Sequence, residues 1–332
     1  MKELSIIGGG SWGTALAVVL SSRFPRVRLW VYEPDLAARM QSTRENDVYL
    51  PGYRLPDNVE ISSDLATVLD GGSMVLSVVP SHLARRMYQK MLPYLNESMV
   101  FVSATKGLEN GTLLRTSEVI RQTVQDRFEP RIAVVSGPTF AREVARGDPT
   151  ALVVASNDEQ LAVEVQEAFS GPTFRLYASQ DTIGIEIGGS IKNVVAIGSG
   201  VLYGLGLGHN ATAALITRGL AEMSRLAVAM GGRPQTLAGL AGLGDLVLTC
   251  TGELSRNRAV GVELAHGRKL DEIVNSMKMV AEGIKTTNAA VDLAQRCAVE
   301  MPIAEQMYQM LHFGLSPREA IQRLMERSLK GE

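Results

Sequence analysis

The chain has 332 residues, enough for two domains of ordinary size, each with its own core. Hydrophobic residues at 45% and charged residues at 20% suit a globular protein, and a net charge of −2 gives no electrostatic reason to expect nucleic acid or an anionic membrane as partner. The two cysteines, Cys250 and Cys297, lie in no CxxC or Cys/His cluster, which argues against a disulfide framework or a metal site and for a reducing, cytoplasmic compartment.

Short β-branched runs open the chain and alternate with helical patterns. Strands are expected at residues 4–7, 27–31, 59–62, 74–79, 99–103, 132–136 and 151–155, and helices at 14–22, 35–42, 83–91, 113–125 and 159–169. Many of these strands are continuous apolar runs, as strands buried on both faces are. The alternation therefore predicts an α/β, Rossmann-like doubly wound sheet. Beyond about Ser179 the strand signals fade, and helical periodicity runs almost to the end, with breaks at Gly231-Gly232, Gly267 and Pro302. A boundary near 178–181 divides a dinucleotide-binding domain, 1–179, from an all-α C-terminal domain, 180–332.

Lys2, a short apolar stretch and Ala15-Leu16-Ala17 give the N-terminus a passing likeness to a signal peptide, but Glu3 and three glycines interrupt the apolar core. Those glycines have a better explanation. Gly8-Gly9-Gly10-Ser11-Trp12-Gly13 fits G-x-G-x-x-G, and it follows an expected strand and opens an expected helix. Gly8 permits the tight turn, Gly10 lets backbone approach a pyrophosphate, and Gly13 lets helix and strand pack closely. The helix N-terminus adds unpaired N–H groups. Glu33 ends the second expected strand, 20 residues after Gly13. An acid there accepts hydrogen bonds from the adenosine ribose and repels a 2′-phosphate, which favours NAD over NADP. The other reading is a surface glutamate in a Glu33-Pro34-Asp35 turn, with Asp35 capping the next helix.

Polar residues then collect where loops follow strands: Lys106 in Ser103-Ala104-Thr105-Lys106-Gly107, and Ser136-Gly137-Pro138-Thr139. Ligands of open α/β sheets bind beyond the carboxyl ends of the strands, so Lys106 is placed to meet an anion or a substrate oxygen. A solvated loop lysine is the alternative. Residues 187–217 carry one charged side chain, Lys192, if His209 is neutral. A lone ammonium in so apolar a run is costly unless something pairs it or lowers its pKa, and either makes it a candidate for proton transfer or for holding an anion. A lysine at a solvated helix edge is the alternative. The uncharged stretch 193–217 is long enough to span a bilayer, but its glycines, His209 and Asn210 point to a buried or interfacial helix pair and not to membrane insertion. Its segment 194–208 suits domain packing or a dimer interface.

Further on, Ala241-Gly242-Leu243-Gly244-Asp245-Leu246 offers one acid in an apolar setting, either a buried partner for a lysine or a local cap. Thr249-Cys250-Thr251-Gly252 leads to Ser255-Arg256-Asn257-Arg258. A Thr/Gly/Ser turn opening a helix that carries Arg and Asn would bind phosphate through N–H groups, hydroxyls and a guanidinium. Arg258 reads instead as part of an exposed basic face.

GGGSWGTALA, SATKGLE, SGPTFAREV, GGSIKNVVAIGSG, NATAALITRG, AGLGDLVLTC, SRNR and AEGIKT span essentially the whole chain. In that order they make a sequence that resembles the NAD(P)-dependent sn-glycerol-3-phosphate dehydrogenases of the bacterial type. The resemblance implies that Ser11 and Trp12 line the pyrophosphate site and that Lys106 lies between cofactor and substrate. It implies that Gly137 and Thr139 touch the substrate, Ala141 the cofactor, and that Lys192 is the catalytic acid/base assisted by Asp245. Asn193, Ser255, Arg256 and Asn257 would hold the substrate, with Ser255, Arg256 and Asn257 on its phosphate, while Arg256, Val280 and Glu282 would approach the cofactor. The implied reaction interconverts dihydroxyacetone phosphate and sn-glycerol 3-phosphate with NAD or NADP, and supplies the glycerol phosphate of membrane phospholipids. A homodimer and a phosphorylated triose substrate are implied with it. Many relatives carry basic residues, suited to the NADP phosphate, at the end of the second strand. Here Tyr32-Glu33 stands there at the cofactor site, in keeping with the ribose argument.

In the reducing direction Lys192 is expected to protonate the developing alkoxide while Lys106 helps stabilise its charge. In oxidation Lys192 must be neutral to act as base. An apolar setting and a second ammonium depress its pKa, and Asp245 acts in the opposite sense. Two rival readings stand beside this one. Another two-domain Rossmann dehydrogenase, acting on 6-phosphogluconate, a hydroxyacyl-CoA or a nucleotide sugar, would need its own acid/base or nucleophile. No histidine here sits in a compelling motif, and Cys250 is the nucleophile to exclude. A catalytically silent dinucleotide sensor gives no reason for Lys106, Lys192, Asp245 and Arg256 together.

Overall fold

A computed structural model describes residues 3–277, 279–329 and 331. Its strands are β1 (Leu4–Ile7), β2 (Val27–Trp30), β3 (Glu45–Asn46), β4 (Leu50–Arg54), β5 (Val59–Ser62), β6 (Met74–Ser77), β7 (Val100–Ser103), β8 (Arg131–Ser136), β9 (Thr150–Ala155) and β10 (Phe174–Ser179). Eight of them form one sheet in the order β10-β9-β8-β7-β6-β1-β2-β5, and β3 and β4 form a separate antiparallel hairpin. Every residue of β1, β2, β6 and β7 is buried, which is why these strands show no polar alternation. Helices Ser11–Leu20, Pro34–Thr43 and Glu159–Phe169 cover one face, and Leu65–Leu69, Ala84–Met91 and Thr116–Val124 cover the other. The N-terminal part is thus a Rossmann-like three-layer α/β/α unit.

The chain leaves β1 on one side through β2 and β5, then returns to β6 on the other side. The switch point between β1 and β6 opens a crevice at their carboxyl ends. Because β1, β6, β7 and β8 are parallel neighbours, Gly8, Val78, Lys106 and Gly137 all emerge along that edge. The parallel pattern breaks at β8–β9, which is antiparallel, so β9 and β10 end on the opposite edge.

That reversal sets the path of the next element. The helix Thr182–Gly204 starts beside the end of β10 and packs along β8. At ~1.5 Å per residue, Lys192 lies about 15 Å along it, roughly the length of a six-residue strand. Its ammonium is thereby carried back to the carboxyl edge. From Thr182 on, every described element is helical.

The same helix is long and apolar enough to cross a bilayer, but it is buried within the chain's own core. Every residue from Gly184 to Leu202 is buried, so segment 194–208 serves internal packing through Leu202, and only then do Tyr203 and Leu207 become exposed. It crosses the helix Arg256–Ala265 at Gly200 and Gly261, where any Cβ would collide with the facing backbone.

Several elements were not expected. β10 alternates buried and exposed residues at the sheet edge, and the β3–β4 hairpin contains Pro51-Gly52. The first helix opens at Ser11, ahead of its expected start at residue 14.

Candidate active site

The glycine loop is built for a dinucleotide. Gly8 has φ +127°, and a Cβ there would lie 2.5 Å from the Val78 carbonyl oxygen, while one on Gly13 would collide with the Gly8 carbonyl. Gly8 and Gly13 are therefore required for packing β1 against β6 and the helix Ser11–Leu20. A Cβ on Gly10 would meet nothing within 4 Å, so that position faces open space. Among the described residues no side chain caps this helix, which leaves first-turn N–H groups available beside Ser11, and the buried indole N–H of Trp12 has no partner. A cradle with unpaired donors fits a pyrophosphate. Ala141 opens the short helix Ala141–Arg146, which packs against Ser11–Leu20.

Glu33 does not end a strand, since β2 stops at Trp30. It is the backbone N-cap of Pro34–Thr43, and neither its side chain nor Asp35's makes a cap bond. Its Oε1 instead accepts a hydrogen bond from the Tyr49 hydroxyl at 2.7 Å. That bond, with burial second, pushes the Tyr49 pKa up to about 12. Tyr32 is 68% exposed and touches Trp30 edge-on, so its ring is free to meet a ligand.

At the other end of the crevice, two lysines share one carboxylate. Asp245 opens the helix Asp245–Thr251 just after a π-helical turn, Leu240–Gly244, and is wholly buried. Its Oδ1 accepts from Lys192 Nζ, and its Oδ2 accepts from Lys106 Nζ at 2.8 Å. Lys106 also donates to the Gly137 carbonyl at 2.8 Å and to Thr139 Oγ1 at 3.1 Å. All three protons of that ammonium are therefore engaged. Lys192 has a different count. It donates to Asp245 and to Thr249 Oγ1 at 2.9 Å, and the Thr249 hydroxyl proton is itself given to the Asp245 carbonyl at 2.6 Å. Towards Lys192, Thr249 can only accept, and among the described residues one proton of Lys192 has no acceptor. Lys192 is buried, and burial pulls its pKa down from 10.5 to about 7; Asp245 opposes the shift and Lys106 reinforces it.

The end expected to hold the substrate phosphate differs from that expectation in detail. Thr249, Cys250 and Thr251 are the last turn of Asp245–Thr251 and not a phosphate-binding turn. The opening of Arg256–Ala265 does have the required character. Ser255 is its N-cap, accepting from the Arg258 N–H at 3.2 Å, which leaves the N–H groups of Arg256 and Asn257 and the Ser255 proton available. Asn257 is a joint among three helices: its Nδ2 donates to Asn193 Oδ1 at 3.0 Å and its Oδ1 accepts from the Gly283 N–H at 2.9 Å. Arg258 points elsewhere, over the Tyr203 ring at 4.2 Å. Arg256 is exposed; the surrounding protein still lowers its pKa by desolvation while Glu282 opposes this, and a guanidinium stays charged regardless. Glu282 opens the helix Glu282–Arg296 and accepts from Ser81 Oγ, after β6, at 2.7 Å, with burial raising its pKa. Val280 is exposed just before that helix. Cys250 is buried and its thiol is pushed up to about 12 by desolvation, which removes it as a nucleophile.

Residues 3–162 match a family model for the NAD-dependent glycerol-3-phosphate dehydrogenase N-terminus, and residues 181–322 match the corresponding C-terminus. The chain belongs to the glycerol-3-phosphate dehydrogenase family. A relative from Koribacter versatilis named glycerol-3-phosphate dehydrogenase [NAD(P)+] is 56% identical over 329 residues, covering 98% of each chain. Among solved structures, the glycerol-3-phosphate dehydrogenase of Coxiella burnetii superposes with a TM-score of 0.94 at 43% identity, over 98% of this chain and 99% of that one. The dehydrogenase of Saccharomyces cerevisiae gives 0.81 at 26% identity over 98% and 99% of the two chains.

Within this dehydrogenase fold, three contacts were not visible in sequence: Thr249 on Lys192, Ser81 on Glu282 and Tyr49 on Glu33. The first joins residues 57 apart and the second residues 201 apart, beyond the reach of any local pattern.

Proposed function

We propose that the chain reduces dihydroxyacetone phosphate to sn-glycerol 3-phosphate, and catalyses the reverse oxidation, with Lys192 as the acid/base. It is an NAD(P)-dependent oxidoreductase acting on a CH–OH group. In this reading residues 1–179 hold the cofactor and residues 180–332 bind the substrate. The observation that carries the assignment of roles is the pair of lysines on Asp245, of which only Lys192 keeps a free proton.

The nicotinamide, when bound, supplies or accepts the hydride. The protein has to place the substrate and move one proton. Asp245 and Thr249 accept two of the Lys192 N–H bonds in either protonation state. The third direction is then a proton in the ammonium and a lone pair in the amine, which serves reduction and oxidation alike. Lys106 has no proton left to donate, so its contribution is its charge and its hold on the Gly137–Thr139 loop. Ser255, Arg256 and the first N–H groups of Arg256–Ala265 suit the substrate phosphate. Glu33 suits a ribose 2′-hydroxyl and repels a phosphate there, which favours NAD.

A steady-state assay with dihydroxyacetone phosphate and each reduced cofactor tests this. We expect substrate-dependent oxidation of NADH, with lower kcat/KM for NADPH and for unphosphorylated dihydroxyacetone. Cofactor binding without turnover would support the silent sensor instead. Equal turnover of the unphosphorylated ketone would remove the phosphate clamp.

A further inference from the structure

The hairpin that sequence patterns missed touches the cofactor loop at two points. Asn46, in β3, is wholly buried; its Nδ2 donates to the Gly9 carbonyl and to Thr14 Oγ1, both at 2.8 Å, and its Oδ1 accepts from the Tyr49 N–H at 3.0 Å. The turn between β3 and β4 is thereby fastened to the glycine loop, and Tyr49 is held where its hydroxyl meets Glu33 Oε1 at 2.7 Å. Among the described residues, Glu33 Oε2 has no hydrogen bond. The arginines nearby in sequence are committed elsewhere: Arg39 pairs with Asp47 at 3.2 Å, and Arg44 donates to the carbonyls of Pro56 and Val59.

We propose that Tyr49 is a positioning residue for cofactor choice, holding the Glu33 carboxylate so that its second oxygen is presented to the adenosine ribose. The inference rests on the NAD preference proposed above. A glutamate has three side-chain torsions, and an untethered one turns away from an incoming 2′-phosphate at little cost. Tethered through Oε1, Glu33 cannot retreat. A 2′-hydroxyl then finds a fixed acceptor, and a 2′-phosphate finds a fixed negative charge. The tyrosine proton is already donated to Glu33, so it offers the phosphate nothing in return.

The test is calorimetric titration of the intact protein with NADH and with NADPH, for wild type, Tyr49→Phe, Glu33→Ala and the double variant. Phenylalanine removes one oxygen from a half-buried ring. A general loss of folding would weaken both nucleotides alike and leave their ratio unmoved. We expect wild type to bind NADH more tightly, Tyr49→Phe to cut the NADH/NADPH affinity ratio about tenfold or more, the lower end of the scale of a hydrogen bond to a charged group, and Glu33→Ala to cut it further. In the Glu33→Ala background, Tyr49→Phe should change nothing more. If Glu33→Ala moves the ratio but Tyr49→Phe does not, or if Tyr49→Phe acts equally in both backgrounds, the positioning role is overturned and the NAD reading stands. If wild type prefers NADPH, or Glu33→Ala leaves the ratio unmoved, the NAD reading falls and this inference with it.

Discussion

Lys192 works through the two acceptors that define its free direction. Its depressed pKa has a consequence in each sense of the reaction. With a value near 7 in the free enzyme, kcat/KM for glycerol 3-phosphate oxidation should rise with pH through about 7, as the ammonium becomes an amine. The reducing direction should fall over the same range. Asp245 raises this pKa, so Asp245→Asn should move the midpoint of the profile downward, besides slowing turnover; an upward shift in the pH–rate profile would contradict the assigned electrostatics. The same depression makes the unfolded chain the better proton binder between about 7 and 10.5, so Lys192 alone makes stability rise with pH across that window. The lysine was conspicuous in sequence because charge in an apolar run demands compensation. Thr249 was not, because a hydroxyl in a helix more often bonds its own backbone. Here it does that as well, and so becomes a pure acceptor for Lys192.

At the scale of elements, the glycine loop separates packing from binding. Ala at Gly13 drives a Cβ into the Gly8 carbonyl and should destabilise the fold by roughly 1–3 kcal/mol at least, visible as a lowered melting temperature. Gly10 has φ −73° and open space before it, so Gly10→Ala should leave the melting temperature unchanged and weaken nucleotide binding, read by calorimetry. Equal melting temperatures for the two variants would refute this division. The central strands were legible because helices bury both of their faces, which leaves unbroken apolar runs. β10 was not, because it sits at the edge and exposes Arg175 and Tyr177. The β3–β4 hairpin was not, because its fold depends on the buried Asn46 side chain and not on a hydrophobic period. The π-helical turn before Asp245 likewise arises from packing, since nothing in a Gly-Leu-rich run specifies i→i+5 bonding.

At the scale of the molecule, the two halves meet through polar contacts that only the fold could reveal. Lys106 reaches Asp245, Ser81 reaches Glu282, and Arg115 with Ser117 grips the buried Glu186 at 2.7 Å and 2.6 Å. The last of these holds the early part of Thr182–Gly204, and the first two bridge the crevice through Asp245 and Glu282, which lie on other helices; Asp245 in turn holds Lys192, on Thr182–Gly204. The antiparallel step at β8–β9 makes this possible by starting that helix from the far edge. The alternation of strands and helices foretold a doubly wound sheet, but the reversal of β9 and β10 leaves no mark on hydrophobic pattern, and with it went the path of the helix that carries Lys192. The central claim is that this architecture delivers a proton from Lys192 to the substrate oxygen. It is tested most directly by single-turnover oxidation of NADH with saturating dihydroxyacetone phosphate in Lys192→Ala. The account predicts a fall of about 100-fold or more in the rate of the chemical step, with substrate affinity largely kept. Turnover that survives at the wild-type rate with only a raised KM would show that Lys192 binds the substrate and transfers no proton.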